Sequence, residues 1–126
     1  PTISTRPGSE ATAALVARLL DPTTRDRALE ALAVAADERV DGILTALERA
    51  DADSAPVLLS ALTRMRRPSS QAAIGAALEL DNVHARRAAA AALVAIGTSD
   101  TLEALERASS DPDPVVRRVC ATAIRT

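Results

Sequence analysis

Residues 82–97 read NVHARRAAAAALVAIG, and residues 113–124 read DPVVRRVCATAI. Both stretches place a small residue three positions after an Arg, then a small and an aliphatic residue six and seven positions after it. The spacing occurs four times, with a degenerate second copy, at Arg25-Ala28-Ala31-Leu32, Ala55-Leu58-Ala61-Leu62, Arg86-Ala89-Ala92-Leu93 and Arg117-Cys120-Ala123-Ile124. Successive copies start 30, 31 and 31 residues apart, and a fixed period in this range indicates a repeat architecture.

A helix start signal stands four residues before each copy, at Asp21, Asp51, Asn82 and Asp113. These side chains are good N-caps, because a short side-chain oxygen can accept a hydrogen bond from an N–H of the first turn. Apolar residues recur three and four positions apart after each cap, as a buried helix face requires. The pattern predicts four helices, which we call the first helices, at about 22–36, 52–66, 83–96 and 114–126.

A second helix is predicted in each gap from apolar residues at the same spacing, around 15–20, 40–47, 73–78 and 102–108. Gly97 is expected to end the first helix before it as a C′ residue, and Asp100 with Glu103 to form a capping box at the next helix start. The prediction is an all-α superhelix of eight helices, equivalent to four helical hairpins. Residues 1–8 are expected to form a flexible N-terminal arm, and residues 9–126 a single repeat domain.

The composition limits the classes of function. The 126 residues carry a net charge of −2 and no Phe, Tyr or Trp, which argues against a nucleic-acid binder that relies on a global basic field. A single cysteine, Cys120, cannot form an internal disulfide and is expected to be buried. No apolar run is long enough for a signal peptide or a membrane span, so a cytoplasmic location is expected.

The stretch from Asn82 to Ile124 resembles the HEAT-repeat family, and within it the short phycobilisome-lyase HEAT-like repeats. The resemblance covers about residues 9–126, and the copy at 51–66 is the most divergent because Ala55 stands at the Arg position. It implies an α-solenoid of about four HEAT-like helical hairpins. It implies little about activity, because such repeats occur in scaffolds, adaptors, lyase subunits and enzyme appendages.

No catalytic constellation is recognisable. HEAT-like di-iron hydroxylases carry repeated His-Glu pairs, whereas His84 is the one histidine of this chain and Ala85 follows it. A metal site needs several ligands, and hydrolytic chemistry needs a nucleophile beside its base; neither is evident. HEAT-like DNA glycosylases use basic and aromatic surfaces, and this chain has no aromatic residue. We therefore predict no enzymatic activity, no catalytic or metal-binding residue and no cofactor.

Two groups of arginines allow alternative interpretations. Arg25, Arg86 and Arg117 form a column. In one interpretation each guanidinium bonds its capping Asp or a carbonyl of a neighbouring repeat. In the other, the column binds phosphate or an acidic partner. The neighbouring Arg87 and Arg118 are interpreted as solvated. A cluster before Pro68, formed by Arg64, Arg66 and Arg67, either complements a helix C-terminus or contacts an anion or acidic partner.

The outer face of the second helices is the expected partner surface, because the curvature of a solenoid makes it concave. The residues expected there are Arg18, Asp41, Thr45, Arg49, Gln71, Glu79, Glu103 and Glu106. The alternative is an ordinary solvated face. The last helix has an apolar stripe formed by Val115, Val116, Val119 and Ile124, and any part left exposed would indicate a truncated domain, a homo-oligomer or a partner.

The sequence thus predicts a non-enzymatic protein–protein interaction or scaffolding module, free-standing or part of a larger protein, with an unidentified protein partner. One alternative, implied by the resemblance, is a lyase-type or chaperone-like subunit that holds a cofactor-bearing client. Another is weak nucleic-acid or anion binding through the arginines.

Overall fold

The computed structural model describes residues 9–33, 38–65 and 68–125. Within these ranges the chain forms eight α-helices and no β-strand, as predicted. The helices are α1 Ser9–Leu20, α2 Arg25–Ala33, α3 Glu38–Leu47, α4 Ser54–Met65, α5 Pro68–Ala77, α6 Val83–Ile96, α7 Ser99–Ala108 and α8 Pro114–Arg125. The predicted arm at residues 1–8 lies outside the described residues.

Each first helix (α2, α4, α6 and α8) is preceded by the Asx residue of its repeat. The Asx side chain accepts a hydrogen bond from the backbone N–H two or three residues after it, in the first turn of the helix or, for α2, just before it; such N–H groups otherwise lack a partner at a helix start. The donors Thr23, Ser54, His84 and Val116 lie 3.0, 2.8, 3.0 and 3.1 Å from Asp21, Asp51, Asn82 and Asp113, respectively. The same bonds lower the pKa of the Asp21 and Asp51 carboxyls.

The connection between α6 and α7 was predicted only in part. Gly97 ends α6 in the left-handed conformation (φ 68°), and its N–H donates to the Leu93 carbonyl at 3.0 Å. The predicted capping box of Asp100 and Glu103 is wrong, because Thr98 is the N-cap of α7 and accepts from the Thr101 amide at 3.3 Å. Asp100 lies inside the first turn, where a negative charge complements the helix dipole.

The helices pack as two layers that advance along the chain. In the first-helix layer α2 packs on α4, α4 on α6 and α6 on α8. In the second-helix layer α1 packs on α3 and α3 on α5. The layers join through contacts between consecutive helices, such as α4 with α5 and α6 with α7. This is the predicted α-solenoid.

Small and aliphatic side chains fill the core between the layers. The residue three positions after the start of each repeat is buried in all four copies. These residues are Ala28, Leu58, Ala89 and Cys120. Burial raises the pKa of the Cys120 thiol, and the predicted burial of this cysteine is confirmed. Among the described helices, none combines the length and the apolar character needed to cross a lipid bilayer.

Candidate functional site

The arginine column binds backbone carbonyls. Each guanidinium donates to the carbonyls six and five residues before it, which lie at the end of the preceding second helix for Arg25 and in the turn after it for Arg86 and Arg117. For Arg86 these are Leu80 and Asp81, at 2.9 and 2.8 Å. The corresponding distances are 3.0 and 3.4 Å for Arg25 and 2.8 and 2.8 Å for Arg117. The column therefore fastens each of these first helices to the segment that connects it to the preceding helical pair, and the capping Asx residues are not its acceptors.

Two ion pairs add to this at the junction of α6 and α8. Arg86 Nε lies 3.0 Å from Asp111 Oδ2, and both side chains are largely shielded from solvent. Arg87 makes a two-pronged pair with Asp113, at 2.9 and 2.8 Å. This pair, aided by the Val116 amide, holds the pKa of Asp113 well below its usual range. The interpretation of Arg87 as a solvated side chain is therefore wrong.

Asn82 joins repeats in a way that the sequence did not reveal. Its Oδ1 caps α6, while its Nδ2 donates to the carbonyls of Leu47 and Ala50, at 2.8 and 2.7 Å. These carbonyls lie at the end of α3 and just after it. Of the two Asx residues only Asn can cap a helix and donate at the same time, because an ionised carboxylate has no donor; Asn therefore suits this position, where the other copies have Asp.

A groove opens between α5 and α7, which make almost no direct contact although the earlier second helices pack on one another. Its α5 wall carries Ala72, Gly75 and Ala76, and a Cβ at Gly75 would meet no atom within 4 Å. Leu93 and Ile96 of α6 form an apolar floor. The lining of this α5–α7 groove is completed by Gln71, Leu78, Glu79, Thr98, Asp100, Thr101, Ala104, Arg107, Ala108, Ser110 and Asp111, around a volume of about 590 Å³.

Charged side chains stand on the rim of the groove. Glu79, Asp100 and Arg107 are exposed, and none of them is ion-paired with another described residue. The Asp111 carboxylate, in contrast, is bound to Arg86. The groove therefore combines an apolar interior with two acids and one base that have no ion-pair partner among the described residues, which suits an amphipathic ligand.

All eight residues expected on the partner face are exposed. Of these eight residues, only Gln71 and Glu79 line the groove. Glu103 and Glu106 lie on α7 but do not line the groove. The remaining four belong to the α1–α3 region: Arg18, Asp41, Thr45 and Arg49. Sequence reasoning missed the small residues of α5, because periodicity does not distinguish an alanine in a core from one at an open groove.

The apolar stripe of α8 is only partly covered. Val116 is fully buried, but Ile124 is 40% exposed. In the two preceding copies the residues at the same position, Leu62 and Leu93, are 0% and 4% exposed, because a following pair of helices covers them. Val94 is also exposed here, beside a smaller depression of about 290 Å³.

The remaining candidates carry little chemistry. Arg64 is exposed at the end of α4, and Arg66 and Arg67 lie outside the described residues. His84 contributes its backbone N–H to the Asn82 cap. In the part of the chain that the structure describes, no three His, Cys, Asp or Glu side chains are grouped so that they could hold a metal ion.

Comparison with known proteins identifies one repeat family and one solved structure. The model of the family described as HEAT repeats matches residues 40–125. The structure of human deoxyhypusine hydroxylase in complex with glycerol is similar, with a TM-score of 0.60 and 26% sequence identity. The match covers 99% of this chain and 44% of the hydroxylase chain, so the chain spans less than half of that protein. No curated protein matches the chain.

Proposed function

Because the chain belongs to the HEAT-repeat family, we propose that it is a protein–protein interaction or scaffolding module that binds its partner on the second-helix layer and has no catalytic activity of its own. The observation that carries the proposal is the contrast between two sets of polar groups. In the first helices, the geometry of caps and arginines recurs from repeat to repeat, and these groups bond within the fold. On the side of the second helices, Glu79 just after α5 and Asp100 and Arg107 on α7 have no ion-pair partner among the described residues and lie on the rim of an apolar groove.

The similarity to a hydroxylase does not lead us to propose hydroxylation. The match covers 44% of the hydroxylase chain, and a shared fold is a weak argument for a shared function. This chain has a single histidine, His84, and its backbone is part of a helix cap. We propose that the chain shares the helical framework of that enzyme and not its chemistry.

A second candidate is a lyase-type or chaperone-like subunit that holds a cofactor-bearing client. The groove volume of about 590 Å³ favours this, because small-molecule sites have volumes of roughly 300–1,000 Å³. Membership of the phycobilisome-lyase HEAT-like subclass is a proposal that rests on the short period of 30–31 residues. Titration with a linear tetrapyrrole tests this candidate, and an unchanged absorption spectrum of the pigment would count against it.

Three further expectations belong to the proposal. A homo-oligomer through α8 is supported by the exposure of Ile124 and Val94, and light scattering measures it. Anion or nucleic-acid binding by the arginine column receives little support, because Arg25, Arg86 and Arg117 donate to carbonyls. A cytoplasmic location remains a prediction.

Site-directed photocrosslinking in cells tests the interaction function directly. A photoreactive amino acid is introduced at Gln71, on the groove rim, and in a second variant at Ala91, which is exposed on the first helix α6. We expect a discrete protein adduct from Gln71 and much less from Ala91. If neither position, nor a third at Arg18 on α1, gives an adduct, the chain is not an interaction module of this kind.

A further inference from the structure

We propose that the α5–α7 groove binds one face of an amphipathic α-helix of a protein partner, whose apolar side chains enter the groove and whose Lys or Arg side chains lie beside Glu79 and Asp100. The inference rests on the proposed function, and it adds the place of binding and the chemistry of the partner.

The second-helix layer itself indicates a helical ligand. α1 packs on α3 and α3 on α5, whereas the step from α5 to α7 is open. Packed helix axes lie roughly 8–10 Å apart, and small side chains at the contact allow the closest approach. The groove presents such side chains on both walls, through Ala72, Gly75 and Ala76 of α5 and Ala104 of α7. A partner helix can therefore lie against the groove with its backbone close to α5.

The dimensions of the groove match a short helix face. Helices that bind in grooves insert side chains at positions i, i+3 or i+4 and i+7. At 1.5 Å per residue these anchors span roughly 10 Å. α5 and α7 have 10 residues each and are therefore roughly 15 Å long. The groove has room for three such anchors, with Leu93 and Ile96 as its apolar floor.

The charges around the groove favour a partner helix that carries Lys or Arg side chains beside its apolar face. The lining carries two acids, Glu79 and Asp100, and one base, Arg107, none of which is ion-paired with another described residue. Complementary potentials favour encounter and suppress wrong partners. Arg107 disfavours a segment that is basic along its whole length, so the expected partner helix is amphipathic and carries a few cations.

A phage-displayed library of random 16-residue peptides, selected on the full chain, tests the proposal. We expect the enriched peptides to share apolar residues at i, i+3 or i+4 and i+7, with Lys or Arg beside them, and to gain helicity on binding. Gly75→Leu fills the groove at a position with open space and should weaken a selected peptide at least about tenfold, as expected for an anchor pocket. Glu79→Arg combined with Asp100→Arg should weaken it by a similar factor, about tenfold.

Two matched controls separate the groove from the rest of the surface. Glu106→Arg reverses the charge of one acid on the exposed side of α7, as each half of the double variant does at the groove, and Ala91→Leu introduces the same residue on α6 as Gly75→Leu does on α5; both control positions lie outside the groove lining. Each should change affinity less than about twofold, as expected of residues away from the interface centre. The double charge variant keeps the test valid if Gly75→Leu melts early.

Failure of the proposal has a distinct signature. If no peptide is enriched, or if the enriched peptides bind the Gly75→Leu and double charge variants as tightly as the unchanged chain, the groove is not the binding site. The crosslinking experiment remains independent: adducts from Arg18 but not from Gln71 would preserve the interaction function and place the partner elsewhere.

Discussion

Replacement of Asn82 by Asp separates the two tasks that this side chain performs. Asp is as good an N-cap as Asn, so the bond from the His84 amide should survive. The two bonds from Nδ2, to the carbonyls of Leu47 and Ala50 at 2.8 and 2.7 Å, are lost because a carboxylate has no donor. A charged oxygen would instead face two carbonyl oxygens.

The magnitude follows from the partly buried position of these bonds. A typical hydrogen bond contributes about 0.5–1.5 kcal/mol net, and a buried group left without a partner costs about 1–3 kcal/mol. We therefore expect Asn82→Asp to lower the free energy of unfolding by about 2–4 kcal/mol at pH 7. Urea denaturation followed by far-UV circular dichroism measures this change. The matched control is Asp51→Asn, at an exposed cap where both residue types can accept, and it should stay within about 0.5 kcal/mol.

The loss should depend on pH. Two adjacent carbonyl oxygens disfavour the charged form of the introduced carboxyl, so its pKa in the folded state should exceed the unfolded value of about 3.9. The penalty is then fully present above the folded pKa and declines as pH falls through it, because the protonated group can donate to one carbonyl. The gap between Asn82→Asp and the unchanged chain should narrow from pH 7 towards about pH 4. A constant or widening gap, or equal stability at pH 7, would show that the amide contacts do not hold the repeats together.

Three further substitutions test the packing of the same region. Arg86→Ala should lower the free energy of unfolding by about 1–3 kcal/mol, because it leaves the shielded Asp111 carboxylate without its guanidinium partner. An unchanged midpoint of thermal unfolding at pH 7 would contradict this. Arg87→Met should lower the melting temperature at pH 7, and the difference from the unchanged chain should shrink as pH falls below about 4. The pKa of Asp113 is depressed in the folded state, so the stability that its ion pair contributes is fully present above the pKa of an unfolded Asp and is lost on acidification. Gly75→Ala should raise the free energy of unfolding by about 0.5–1 kcal/mol, because Ala is the better helix residue and its Cβ meets no atom within 4 Å. A lower free energy of unfolding in chemical denaturation would mean that α5 is packed differently.

The parts of the fold that depend on local chemistry could be predicted from the sequence. The caps and the helical periodicity act within about one turn, and they located all eight helices. The start of α7 shows the limit of such reasoning. Asp100 and Glu103 fit a capping box by spacing, but Gly97 ends α6 so closely that Thr98 is the first residue able to cap. Thr98 and the Asp100–Glu103 pair were both possible helix starts, and Thr98 caps α7 because it comes first after the end of α6.

Contacts between repeats could not be predicted in the same way. The donors of Asn82 reach carbonyls 35 and 32 residues earlier, and Arg87 reaches Asp113 26 residues later. These pairs depend on how far one helical pair is displaced and rotated relative to the next, which the spacing of apolar residues does not specify. The opening between α5 and α7 has the same origin, so the sequence indicated a partner face but not the groove within it.

Several polar contacts between the described helices involve α6, which forms the floor of the α5–α7 groove. The first turn of α6 is tied backwards to the end of α3 by Asn82 and forwards to the start of α8 by Arg87 and Asp113. Arg86 holds Asp111, which itself lines the groove. The walls therefore stand on a framework fixed from both sides, and a site that is already in its binding conformation loses less entropy when a ligand binds. It follows that Asn82→Asp, although distant from the groove lining, should weaken a groove-binding peptide more than Glu106→Arg does, even under conditions in which both variants remain folded.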